Sequence, residues 1–168
     1  MIRIPIPYCG IRVKAKYDHL DVLINNAGAQ FTGKREVTID GHEKTMMINV
    51  FAPFLLTTLL LDLLKKAHSS RVVTVSSAAH SMSGKPYLDD IELEHHYTMS
   101  RAYGLSKLYV IWVMRHFVTE MKKAGISHIT FNSVHPGSVN TSLGRESTKS
   151  WGSKDHLFPL ETTDDKPC

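Results

Sequence analysis

The chain of 168 residues has only two cysteines, Cys9 and Cys168, near opposite ends, with no C-x-x-C pair and no metal-ligand spacing. That scarcity excludes a disulfide scaffold and a zinc module, and reads as free thiols in a reducing compartment. Long hydrophobic runs are also missing. The most apolar stretch, Ile48 to Leu64, is interrupted by Asn49, Pro53 and Asp62, whereas a membrane span needs about 20 residues nearly free of charge. It reads as a buried helix, and no membrane span is expected. The opening MIRIPIPYCG holds two prolines and too short an apolar core for a signal peptide. A cytoplasmic location is therefore expected, with peripheral membrane contact left open, and the sequon Asn140-Thr141-Ser142 is taken as accidental. The formal net charge is +4, yet no run of basic residues exceeds two. A nucleic-acid binder gathers its cations on one face or helix, so no nucleic-acid partner is expected. Ten glycines and seven prolines are too few for a collagen-like or low-complexity chain.

What is present is an alternation. The length fits one domain, and no internal repeat is visible. DVLIN, from Asp21 to Asn25, is a short apolar run ended by Asn26-Ala27-Gly28, as in a buried strand entering a turn. Asp40 is placed to cap a helix carrying Met46, Met47, Val50 and Phe54 and running to Lys65 and Lys66, with Pro53 kinking or splitting it. RVVTVSS (71–77) reads as a second strand, and residues 78–99 as a long loop. Ser100 to Ala124 reads as a helix closed by Gly125. Ile129 to Val134 is a third strand, ended by His135-Pro136-Gly137. Residues 1–20 have no clear period and form an uncertain lead-in; 21–145 form the working part, and 146–168 a polar tail.

Apolar strands separated by helices argue for a parallel sheet covered on both faces. Ligands bind outside the carboxyl ends of such strands. The polar exits Asn25 to Gly28, Ser76-Ser77 and Pro136 to Thr141 all fall there.

Tyr103 and Lys107 sit four apart in AYGLSK and so share a helix face. A phenol is a poor base near neutrality, and a neighbouring ammonium favours its ionised form, which suits it to proton transfer. Alone, the pair is no more than a surface contact. Together with Asn25-Asn26-Ala27-Gly28, Asn49 in an apolar helix, Ser76-Ser77 and Pro136-Gly137, in that order, it resembles the short-chain dehydrogenase/reductase family. RVVTVSSAAH, AYGLSK and VHPGSV are most similar to the retinol dehydrogenase group and its WW-domain-containing oxidoreductase relatives. The likeness covers about Asp21 to Arg145.

The resemblance implies a partial Rossmann-type, doubly wound parallel α/β sheet: the second half of that fold, with about three strands. It implies hydride transfer between NAD or NADP and an apolar alcohol or carbonyl, such as a retinoid or steroid. Tyr103 would be the acid/base, Lys107 would assist it and hold the nicotinamide ribose, Ser77 would bind the reacting oxygen, and Asn49 would anchor a water in the proton relay. Asn25, Ala27 and Gly28 would line the adenosine side of the cofactor, and Pro136, Gly137, Val139 and Thr141 its nicotinamide end. Each has a plainer reading: Asn49 as a cap beside Pro53, Ser77 as a strand end, Asn25-Asn26 and Pro136-Gly137 as turns. No metal is expected, since His95-His96 face apart and His80, His116 and His128 have no partner at ligand spacing.

One part of the family pattern is missing. No T-G-x-x-x-G-x-G turn, which cradles the pyrophosphate at a helix N-terminus, occurs in the sequence. The expectation is therefore a truncated chain with weak cofactor binding, its Asp21–Asn25 strand left as an apolar edge. The alternative is an inactive family member that acts only by associating with a full-length relative. The helix 100–124 carries more apolar residues than one sheet face buries, among them Trp112 and Phe117, so homo- or hetero-association through it is expected.

Overall fold

The computed structural model describes residues 6–137. The sequence expectation Val139 and Thr141 lie outside these residues. Three parallel strands, β1 (Val22–Asn25), β2 (Ser70–Val75) and β3 (Ile129–Val134), form one sheet in the order β1-β2-β3. Val22 pairs with Arg71, and Ser70 with Ile129. All three strands therefore end at the same edge. Each connection is a helical crossover, as parallel pairing demands.

The lead-in is a helix, which the sequence reading missed. α1 (Ile6–Lys16) begins with Pro7 in its first turn, where a missing N–H costs nothing, and ends in Lys14 and Lys16. It packs on the helix Ala52–Lys66 (α3) through Gly10, whose bare Cα lets Leu59 approach; a Cβ there would lie 3.2 Å from Leu59.

The second helix begins later than expected. Its cap is Glu43, whose carboxylate accepts from the Met46 N–H at 2.8 Å. Asp40 lies instead in the turn closed by Gly41, where φ is 85°. α2 (Lys44–Met46) passes through a π-helical turn (Met47–Phe51) into α3 (Ala52–Lys66). Pro53 neither breaks nor visibly ends the helix. Its ring cannot donate to the Asn49 carbonyl four residues back, and the wider turn just ahead of it, with the Ala52 N–H bonded to the Met47 carbonyl, absorbs that misfit. The span Lys44–Lys66 is long and apolar enough to cross a membrane by length and composition. Here it contributes Leu60, Leu63 and Leu64 to the sheet core.

β2 leads into a 3-10 turn (Ala78–Ser81) and a loop. α4 (Met99–Lys123) then starts at Thr98, whose hydroxyl accepts from the Arg101 N–H at 3.2 Å. It ends in a Schellman arrangement: Gly125 N–H meets the Lys122 carbonyl, Ile126 N–H meets the Met121 carbonyl, and Gly125 takes a φ of 70°.

Leu23, Leu64, Val72, Met114, Phe117 and Ile129 close the main core between α3, α4 and the sheet. Full burial of each such side chain is worth about 1.5–3 kcal/mol. A second cluster joins Met46, Val50, Ala102, Leu105 and Tyr109 to Leu93, which is wholly buried in the loop before α4. Phe117, expected on an outer face, is only 5% exposed and stacks on Phe131 at 5.4 Å. Trp112 and Val118 are the exposed large apolar residues of that helix.

Both faces of the sheet were expected to be covered, but burial alternates along β1 and β2. Leu23, Val72 and Thr74 point into the core, while Val22 and Ile24 are 48% and 61% exposed. Among the described residues, helices pack one face only.

Candidate active site

The carboxyl edge of the sheet gathers the residues singled out in the sequence. At the end of β1, Asn25 is buried and its side-chain amide donates to Thr57 Oγ1 (3.1 Å) and Thr74 Oγ1 (3.2 Å). It ties β1 to β2 and α3. Its side chain is committed to the protein, while Ala27 beyond it is exposed and Gly28 half-buried.

Asn49 is held in the π-helical turn, 2% exposed. Its Nδ2 donates to the Ala29 carbonyl and to Ser106 Oγ, and its Oδ1 accepts from the Ala29 N–H, all at 2.9 Å. The side chain thus clamps the Asn-Asn-Ala-Gly loop to α4. Its backbone carbonyl is different: Pro53, which would be its partner in a regular helix, has no N–H to give. With the amide engaged, that carbonyl is the group of Asn49 left to meet a ligand.

Ser76 and Ser77 separate cleanly. Ser76 is buried, and its hydroxyl donates to the Lys107 carbonyl at 2.8 Å. Ser77 is half-buried at the cap of the 3-10 turn, where its Oγ accepts a 3.3 Å bond from the Ala79 N–H. Its own proton is thus free to meet a ligand. The exit of β3 lies alongside, because His135 Nδ1 accepts from the Ala78 N–H at 3.3 Å. Pro136 and Gly137 follow it, exposed, with Gly137 at a φ of 81°.

The first turns of α4 lie against this 3-10 turn. A Cβ on Gly104 would sit 2.8 Å from the Ala79 carbonyl, so only glycine permits the approach. Tyr103, half-buried, is next to it. One turn on, Lys107 is 4% exposed. Its Nζ donates to the Val75 carbonyl at 3.0 Å and lies 5.7 Å from the centre of the Tyr103 ring. Burial pushes its pKa down to about 8, because a low-dielectric setting disfavours the ammonium. A Cβ on Gly28 would fall 3.0 Å from that Nζ and 3.3 Å from Asn49 Oδ1. Gly28, Asn49, Tyr103 and Lys107 therefore form one site with the Ser77 turn beside it.

Sequence reasoning missed two members. Ser106, fully buried, accepts from Asn49 and donates to the Tyr103 carbonyl at 2.7 Å. Ala29 supplies both backbone groups that hold Asn49. A serine next to Lys107 was a visible signal; a backbone contact leaves none.

A buried ammonium with three protons and one protein acceptor among the described residues suits the hydroxyls of a ribose, and the bare Gly28 backbone beside it allows a flat ligand to come close. The residues present fit the nicotinamide half of a dinucleotide. Parallel strands with a serine, tyrosine, lysine and asparagine gathered at their carboxyl edge place the chain in the doubly wound α/β class. A family model, short chain dehydrogenase, matches residues 11–151. The chain belongs to that family.

Human polyprenol dehydrogenase is 42% identical over 136 residues, covering 79% of this chain and 40% of the relative. Human retinol dehydrogenase 11 is 40% identical over 134 residues, covering 80% and 41%. The crystal structure of an uncharacterized protein from Mycobacterium paratuberculosis superimposes with a TM-score of 0.66 at 34% identity, covering 82% of this chain and 49% of that one. The chain spans about two fifths of the length of the curated relatives it matches.

Proposed function

We propose that residues 21–145 are the catalytic portion of an oxidoreductase that moves a hydride between NAD or NADP and an apolar alcohol or carbonyl of the retinoid or steroid kind, in a reducing, cytoplasmic compartment. The observation that carries this reading is the buried Lys107 ammonium, held by Val75 within 5.7 Å of the Tyr103 ring and against Gly28. The likeness to polyprenol and retinol dehydrogenases supports the substrate class. A bound NAD or NADP, held at its nicotinamide ribose by Lys107, would supply the hydride acceptor for the alcohol carbon. Tyr103 receives the hydroxyl proton, Ser77 donates a hydrogen bond to the same oxygen, and Lys107 holds a positive charge beside both and a ribose below. Ala27 and the Asn25 backbone line the adenosine side, Gly28 lies beside the ribose that Lys107 holds, and Pro136 and Gly137 lie at the nicotinamide end. Dinucleotide binding is weak, since the glycine-rich turn is absent from the sequence.

Incubation with all-trans-retinol and NAD or NADP, followed at the absorbance of the reduced cofactor, tests this. Turnover that falls roughly 10²–10⁴-fold in Tyr103→Phe is expected. Turnover unchanged in that variant refutes the roles, and no turnover with either cofactor favours the second reading.

That second reading, an inactive chain that associates with a full-length relative, rests on β1 being an edge strand among the described residues, with Val22 and Ile24 exposed on the open sheet face. The outer face of α4 supports association of either kind. Val50, Phe54, Leu88, Ile91 and Trp112 line an apolar groove of about 440 Å³ there. Trp112→Asp shifts the sedimentation of the chain toward monomer if this face is the interface; a monomeric wild-type chain at high concentration rejects it.

A further inference from the structure

We propose that the end of the molecule opposite the active site docks on an anionic lipid surface. The charges are segregated. At the site end, Asp89, Asp90, Glu92 and Glu94 gather in the loop before α4 and offset the cations around them. At the other end, each of the three long helices finishes on a pair of lysines: Lys14 and Lys16, Lys65 and Lys66, Lys122 and Lys123. All six are exposed.

The acids at this end are few: Asp18, Asp21, Asp62 and Glu120. Two of them are taken by Lys14 (3.3 Å to Asp62) and Lys123 (2.9 Å to Glu120). The other four lysines, with Arg71 at the start of β2, have no acidic partner among the described residues. Helix dipoles favour a cation in a last turn, but Arg71 lies on a strand and Arg12 in the body of α1, so the dipoles do not account for the whole patch.

The second observation is apolar. Tyr8, Ile11 and Tyr17 are 62%, 64% and 51% exposed. By helical spacing Tyr8, Ile11, Arg12 and Lys16 share the face of α1 turned away from α3. Arg12 lies 5.7 Å over the Tyr8 ring and Lys16 5.3 Å over that of Tyr17. Rings and an aliphatic chain interleaved with cations match a headgroup interface, where the apolar parts enter the acyl boundary and the cations meet phosphate. A nucleic acid would use the cations and leave Ile11 exposed. Docking this way leaves Ser77 and Tyr103 facing the water.

The experiment is co-sedimentation of the 168-residue chain with vesicles of phosphatidylcholine alone and with about 30% phosphatidylserine added, the anionic leaflet attracting nearby cations. Binding to the anionic vesicles, weakened at least tenfold between low and high salt, is expected. Lys65→Glu with Lys66→Glu and Lys122→Glu should weaken it by more than about fivefold per site, and Ile11→Ser by less. Lys34→Glu with Lys85→Glu, at the site end, should leave it unchanged, which separates a patch from net charge. No binding to anionic vesicles, equal binding to neutral ones, equal loss in the site-end control, or tighter binding to single-stranded RNA through the same lysines would each overturn the proposal.

Discussion

Replacing Lys107 by methionine should abolish catalysis while making the fold more stable at neutral pH. The ammonium is 4% exposed and its pKa is pushed from 10.5 to about 8 by burial. At 1.36 kcal/mol per unit, holding it charged costs the fold about 3 kcal/mol at pH 7. Methionine removes that cost and keeps the aliphatic packing. It also forfeits the 3.0 Å bond to the Val75 carbonyl, a charged hydrogen bond worth about 1.5–3 kcal/mol. The net gain is about 1 kcal/mol, which raises Tm by about 2–4 °C in a chain of this size.

The pH dependence of that gain gives the sharper test. The folded pKa is depressed, so between about pH 8 and 10.5 the unfolded chain binds a proton that the folded one does not, and wild-type stability gains with pH in that window. Below pH 8 the penalty is full; above 10.5 it is gone. The stability difference between variant and wild type should therefore be level from pH 6 to 8, then fall by about 3 kcal/mol and change sign by pH 10.5. Urea denaturation followed by circular dichroism at five pH values measures it, other titrations cancelling between the two chains. A difference that stays flat across pH 8–10.5 would show that the ammonium is not desolvated, and the account of Lys107 given above would be wrong.

Gly104→Ala should cost about 1–3 kcal/mol in urea unfolding, since its Cβ would lie 2.6 Å from Ser83 Cβ and 2.8 Å from the Ala79 carbonyl; a neutral effect would mean the Ser77 turn moves away freely. Asn25→Ala strips the donor from two buried threonine hydroxyls and should cost about 1–3 kcal/mol. Lost cofactor affinity at unchanged stability would instead make Asn25 a ligand rather than a brace. Pro53→Ala supplies the N–H that the Asn49 carbonyl lacks and should relax the π-helical turn to a regular one. Amide exchange should find the new N–H protected and turnover should drop, whereas unchanged turnover would rule out a part for that carbonyl.

The three strands are legible in the sequence because each is a short β-branched run stopped by a turn. Their parallel order follows from helices long enough to cross back over the sheet. What escaped was α1, whose two neighbouring prolines and mixed polarity hide its period, although it makes its own contact with α3 through Gly10. The bare sheet face escaped for a different reason. Val22, Ile24, Val73 and Val75 make β1 and β2 read as strands buried on both sides, and sequence pattern records what a surface is suited to touch rather than what touches it.

The candidate site was legible because its residues follow one another at strand exits and on one helix face, and the fold brings Gly28, Asn49, Tyr103 and Lys107 together despite their spread in sequence. Roles within it were less legible. Ser76 and Ser77 look alike in sequence; the choice between them lies in direction, Ser76 pointing back to the Lys107 carbonyl and Ser77 outward at the cap. Asn49 and Pro53 show the same point more strongly. As an asparagine in an apolar helix near a proline, Asn49 suggests either a cap or a ligand. The structure makes its side chain a clamp on Ala29 and Ser106, while Pro53 leaves its carbonyl without a helical donor. The side chain thereby takes a bracing part, and only the carbonyl is left for a ligand; the π-helical turn that separates the two is a backbone feature with no residue signature of its own.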